Sequence, residues 1–173
     1  MRIKSLPLNS TSKLIQDYMK QTNKIATFFD YNPFEPFDKR LKELRNRSFQ
    51  RALLTEKIET MNKQWDAPEA TFEQIGRLSN KDSVVVIGGQ QAGVLTGPTY
   101  TINKIITIIR IAREQEEKLG IPVIPVFWIA GEDHDYEEIN HIYMFDKQKM
   151  KKHKLEQYSY EKKSVSDINI EKE

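Results

Sequence analysis

Ser83-Val84-Val85-Val86-Ile87-Gly88-Gly89-Gln90-Gln91-Ala92-Gly93-Val94-Leu95-Thr96-Gly97-Pro98 is the stretch whose reading decides the fold. An unbroken β-branched run closed by two glycines reads as a strand buried on both faces of a parallel sheet. The segment 98–119 then carries Ile102, Ile105, Ile106, Ile109 and Ala112 inward at helical spacing, and Gly120 stops it. A second apolar run, Val123-Ile124-Pro125-Val126-Phe127-Trp128-Ile129-Ala130, is entered through Pro122. Strand, loop, helix and strand make one βαβ unit over 82–140, with a right-handed crossover expected. The fold class is therefore α/β, built on a parallel sheet.

Working outward, residues 1–80 read as mainly helical. From Ser10 to about Phe29, Leu14, Ile15, Tyr18, Met19, Ile25, Phe28 and Phe29 recur at helical spacing, which predicts one amphipathic helix capped by Ser10 or Ser12. Asp30–Phe37 holds two prolines and three aromatics and is expected to be an extended connector whose aromatics pack. A helix over 36–61 follows, with Phe37, Leu41, Leu44, Phe49, Leu53, Leu54 and Ile58 as its buried stripe and the charges of 38–47 as its solvated face. Asp66-Ala67-Pro68-Glu69 opens a short helix to about Leu78. On the other side, His141–Phe145 reads as a short strand, followed by a lysine-rich run from Lys147 to Lys154 and a polar tail over 156–173. An edge hairpin or a frayed end is expected there. Trp65 and Trp128, like Phe28, Phe29, Phe34 and Phe37, are assigned to packing before any ligand.

The chain of 173 residues is 38% hydrophobic, enough for one core, so a single domain is expected. Lys and Arg number 27 against 25 Asp and Glu, a net charge of +2, which argues against a broad phosphate-binding face and hence against nucleic acid as partner. Cysteine is absent, which excludes disulfides, thiolate zinc sites and a cysteine nucleophile. The start, Met1-Arg2-Ile3-Lys4-Ser5-Leu6-Pro7, lacks the apolar core of a signal peptide, and no run approaches the ~18 apolar residues of a membrane span. A cytoplasmic protein without membrane partners is the expectation.

Two polar clusters each follow the carboxyl end of an expected strand, where open α/β sheets bind ligands. In the first, Gly88, Gly89, Gly93 and Gly97 allow close backbone approach, Gln90 and Gln91 offer amides, and Thr96 and Thr99 offer hydroxyls near a helix start. An anion or phosphate suits such a loop, although neither the Walker nor the Gly-x-Gly-x-x-Gly spacing is present. Tyr100 and Lys104 lie one turn apart on the helix that follows. The second cluster, Gly131-Glu132-Asp133-His134-Asp135 with Glu137, Glu138, Asn140 and His141, crowds carboxylates around imidazoles. Such groups suit general acid–base work or hydrogen bonding to a substrate amine or ribose. Magnesium or zinc ligands are also of these types, but nothing fixes a ligand spacing, so no metal is assigned.

Gly89-Gln90-Gln91-Ala92-Gly93-Val94-Leu95-Thr96-Gly97-Pro98 and Pro125-Val126-Phe127-Trp128-Ile129-Ala130-Gly131-Glu132-Asp133-His134-Asp135 closely resemble the BshC family, and Asp30-Tyr31-Asn32-Pro33-Phe34 is similar as well. The resemblance runs from near residue 1 to about 155. It implies a Rossmann-like core and a role in the last step of bacillithiol synthesis, in which a ligase joins cysteine to glucosaminyl-malate through an amide bond. Such ligases usually couple to a nucleotide, so ATP or another nucleotide is the expected cosubstrate. The family's members continue with more of the sheet, connecting domains and a coiled coil that makes the homodimer, so this chain reads as an amino-terminal portion over 1–155 with a tail. The expected site has Asp133, His134 and Asp135 as catalytic groups. Its substrate-binding set is Gly89, Gln90, Gln91, Gly93, Thr96, Gly97, Tyr100, Lys104, Glu132, Asn140 and His141. Two rival readings are a non-catalytic remnant that binds ligands or partners, and a nucleotidyltransferase-like enzyme acting on another small acid.

Overall fold

The computed structural model describes residues 12–32, 36–155 and 163–168. Ser10, Phe34 and most of the tail therefore lie outside the described residues. The chain separates into two compact units, Met1–Ser48 and Phe49–Glu173. This division cuts through the 1–80 region that the sequence reading treats as one.

In the first unit, helix α1 spans Lys13–Lys20 and is capped by Ser12, whose hydroxyl accepts the Ile15 N–H at 3.4 Å. The helix expected to run to Phe29 stops at Gln21, which turns left-handed (φ 48°) while Thr22 N–H closes on the Asp17 carbonyl at 3.1 Å. A left-handed cap on a residue other than glycine leaves no compositional mark. A 3-10 turn, Ile25–Thr27, then buries Ile25, whereas Phe28 points into solvent. Helix α2, Asp38–Arg45, buries Leu41. The connector is anchored through Tyr31, whose hydroxyl donates to Glu43, a carboxylate also held by Arg40 at 2.6 Å and by Arg47.

In the second unit, helices α3 (Arg51–Gln64) and α4 (Glu69–Leu78) pack on each other. The expected 36–61 helix is thus two helices, interrupted over 46–50. Its proposed stripe also fails in part: Phe49, Leu53 and Leu54 are exposed, and α3 buries Thr55. Trp65 and Trp128 are likewise exposed, not core.

Strand β1, Val84–Gln91, pairs in parallel with β2, Val123–Ala130, in register from Val84↔Val123 to Gln91↔Ala130. Helix α5, Thr99–Leu119, connects them and packs on both. The βαβ unit is as expected, and Gly120 ends α5 in the left-handed region at φ 65°, which a Cβ would disfavour. Ala112 is buried as expected, but the helix is rotated from the expected setting: Thr101, Ile108 and Gln115 are buried with it, while Ile102 and Ile106 face outward. Nor is β1 covered on both faces. Gly88 sits against Ile108 of α5, but Val85 and Ile87 are exposed, because among the described residues this sheet has two strands.

The core of this unit is Ile75, Leu78, Ile108, Ala112, Val123 and Ile124. Polar ties reinforce it. Arg51 donates to Ser83 Oγ and to the Ser83 carbonyl, both at 2.8 Å, and Ser83 Oγ donates to the Leu78 carbonyl at 3.0 Å. Glu116 takes Arg77 and the Val123 N–H (3.0 Å), which joins α4, α5 and β2 and holds its carboxyl below the usual range. After β2 come the short helix α6, Tyr136–Ile139, and an antiparallel hairpin of β3, His141–Asp146, and β4, Lys149–Lys154. This hairpin forms its own sheet and does not extend β1–β2. Of the tail, 163–168 is described and contains a 3-10 turn, Val165–Asp167. Among the described residues no helix is long and apolar enough to cross a membrane.

Candidate functional site

Parallel pairing brings the carboxyl ends of β1 and β2 side by side, so the segments leaving Gln91 and Ala130 start as neighbours. The glycine loop folds back on itself: a Cβ on Gly93 would lie 2.8 Å from Gly97 Cα, so only glycine permits that approach. Val94–Thr96 makes a 3-10 turn in which Leu95 and Thr96 have positive φ. The chain then enters α5 through Pro98, which supplies no side-chain cap to the first amides. Beneath the loop, Thr101 is buried and its Oγ1 has no protein partner; it lies 3.5 Å from the position of a Gly97 Cβ. Leaving such a hydroxyl unpaired costs about 1–3 kcal/mol.

A directed row of hydrogen bonds crosses from α5 to the acidic loop. Lys104 Nζ donates to Gln90 Oε1 at 2.5 Å, Gln90 Nε2 donates to Gln91 Oε1, and Gln91 Nε2 donates to Asp133 Oδ2 at 3.1 Å and Glu138 Oε2 at 3.3 Å. An ammonium can only donate and a carboxylate can only accept, so the two ends fix which way both amides face. Asp133 Oδ1 meanwhile accepts the backbone N–H groups of His134 (2.7 Å) and Asp135 (3.3 Å). Chiefly the Gln91 amide, and then the His134 N–H, hold the Asp133 carboxyl below its ordinary value. Asp133 is thus an ionised organiser of the loop and a poor proton donor.

The other expected residues have distinct places. Asp135 caps α6, accepting the Glu138 N–H at 3.3 Å. Glu132 accepts from the Trp128 indole at 3.2 Å on the surface. His134 is exposed, with Nδ1 3.6 Å from Asp133 Oδ1, in ion-pair range but beyond hydrogen bonding. Asn140 is fully buried; its carbonyl accepts the Leu155 N–H, and it reaches the site only beside His141. Thr96 is exposed and is not among the residues facing the cleft.

The shallow cleft between the two loops is lined by Gln90, Gln91, Gly93, Gly97, Tyr100 and His141 of the expected set. Ala92, Pro98, Glu138 and Ile139 line it as well; these lie within the two polar clusters but outside the expected site set. Its far wall is therefore Glu138 to His141, and not the expected Glu132–Asp135 run. Glu138 had a signal available, since it stands one helical turn from Asp135 in the same acidic cluster. Thr101 had none, because nothing in its spacing separates it from the apolar stripe. Among the described residues no three His, Asp or Glu side chains converge as a metal would require.

The N-terminal Rossmann-like domain family of bacillithiol biosynthesis BshC matches residues 1–173, the full chain. The chain belongs to the BshC family. Its fold is accordingly Rossmann-like, as the βαβ unit indicates. Relatives named "Putative cysteine ligase BshC" include those of Oceanobacillus iheyensis, 44% identical over 100% of this chain, Bacillus cytotoxicus, 47% over 96%, and a Geobacillus species, 43% over 99%. These alignments cover 32%, 30% and 32% of the respective BshC relatives, so the chain spans about a third of their length. The two loops of the cleft are thus loops of a BshC Rossmann-like domain.

Proposed function

We propose that the chain supplies the Rossmann-like portion of a cytoplasmic cysteine ligase that joins cysteine to glucosaminyl-malate in bacillithiol synthesis. The observation that supports the reading is the Gln91 bridge to Asp133 and Glu138, which ties the glycine loop to the acidic segment beside the cleft in a chain of the BshC family. The bond formed is an amide between the cysteine carboxyl and the glucosaminyl amine, with net loss of water. That condensation is uphill in water, so a nucleotide such as ATP is proposed as cosubstrate, activating the carboxyl. Within this chain, the exposed His134 imidazole is the group to take the proton that the attacking amine gives up, with the Asp133 carboxylate 3.6 Å from its Nδ1. The amides opening α5, which no side chain caps, suit an anionic group of the substrate, such as a malate carboxylate.

Because the chain spans about a third of its relatives, turnover and the homodimer belong to the longer protein in this proposal. The same fact favours a second reading, in which the 173-residue chain alone binds a substrate without converting it. Calorimetric titration with nucleotide and with glucosaminyl-malate separates a binder from a chain that recognises neither. The test of the main reading is Asp133→Asn and His134→Ala in the full-length protein. Bacillithiol output falls about 10²- to 10⁴-fold if His134 moves the proton, the usual contribution of an acid–base group. Unchanged thiol output rejects the assignment.

A further inference from the structure

The acidic loop is held from a direction that neither the glycine loop nor the sheet supplies. Gly131 O accepts two donors, Ser164 Oγ at 2.6 Å and Ser166 N–H at 2.9 Å, and Asp133 O accepts Val165 N–H at 2.8 Å. Ser164 Oγ spends its one hydrogen on Gly131, so in its 2.7 Å contact with Ser166 Oγ it is the acceptor. The Asp133 carboxylate takes the His134 and Asp135 amides and the Gln91 amide. Gly131 and Asp133 are therefore gripped at their carbonyls by 164–166 and at the carboxylate by Gln91. Between and after them, Glu132 turns to the Trp128 indole and His134 is exposed.

We propose that Ser164–Ser166 is a positioning element for the acidic loop, with the Ser164 hydroxyl as its key group. This role rests on the reading of that loop as part of the site. Ser164 lies 33 residues from Gly131, and its contact is with the loop backbone and not with the strands. Its removal therefore loosens the Asp133 turn while β1 and β2 stay paired.

Amide hydrogen exchange of the whole 173-residue chain tests this without requiring catalysis. Ser164→Ala removes the hydroxyl, and Val165→Pro removes one N–H at the first position of a 3-10 turn, where proline is tolerated after the extended Ser164 (φ −55°, ψ 139°). Both variants are expected to exchange the His134 and Asp135 amides about three- to tenfold faster, the loss that one net hydrogen bond implies. Val86 and Val126 in the strands keep their rates, and Ser164→Thr, which retains the hydroxyl, matches the parent. Unchanged exchange at His134 and Asp135 in either of the first two variants overturns the proposal. So does an equal rise at Val86 and Val126, which makes the segment a general stabiliser, or a Ser164→Thr chain that behaves like Ser164→Ala. Should thiol formation prove not to be the reaction, these rates still decide whether the segment holds the loop.

Discussion

Gln91 contributes two hydrogen bonds from a single nitrogen, and that nitrogen is what lets Asp133 and Glu138 stand close together as carboxylates. Gln91→Glu keeps the shape and replaces the donor by a third negative charge. The Asp133 carboxyl, now held below its ordinary value by that amide first of all, is expected to titrate higher in the variant than in the parent. Carbon-detected NMR titration of the Asp133 carboxyl measures it; a midpoint that stays where it is in the parent removes Gln91 from the electrostatics of the site. Glu43 gives a second pH signature. Tyr31, then Arg40, hold its carboxyl at about 2. A carboxyl depressed on folding stabilises fully above its unfolded value, and the contribution disappears as pH falls from the ordinary carboxylate range toward about 2. The first unit is expected to keep its Tyr31 contacts at pH 5 and lose them progressively on acidification, followed by the Tyr31 ring resonances. In Glu43→Gln the acid step at Tyr31 is absent.

At the scale of elements, α5 is a long helix whose end depends on one backbone conformation. Gly120→Ala forces a Cβ into the left-handed region and is expected to destabilise the second unit by about 1 kcal/mol, read from urea unfolding. This stop was legible in the sequence, as were both strands of the βαβ unit, because each rests on a local signal: a β-branched run, a proline entry or a glycine exit. The helices of the first 65 residues were legible in kind but not in length. Gln21 turns left-handed without being glycine, and 46–50 breaks the helix with no proline or glycine to announce it. The rotation of α5 was hidden because Ile102 and Ile106 make as good an apolar stripe with Ala112 as Ile108 does, and only the tertiary partner chooses between them. Of the candidate site, the meeting of the two loops followed from parallel pairing. Thr101 beneath the glycine loop and Ser164 behind the acidic one depend on contacts between distant positions, and these leave no periodic trace.

For the whole molecule, the uncovered apolar surface is the dominant fact. Ile87 is 61% exposed on β1 and Ile106 is 58% exposed on α5, so the 173-residue chain presents large side chains on separate faces of one unit. Concentration-dependent self-association is expected in sedimentation velocity. Ile87→Lys should weaken it without lowering the unfolding midpoint, since the position makes little of the core; association unchanged by the lysine places the sticky surface elsewhere. The row from Lys104 through Gln90 and Gln91 to Asp133 has a separate consequence for the molecule as a catalyst. Primary amides transmit polarisation but do not readily pass a hydron along, so this row is an electrical link and a barrier to proton conduction. Any hydron collected at the acidic loop must leave directly to bulk water, and the turnover rate of the longer protein should then respond to buffer concentration and not to the loss of Lys104 as an exit.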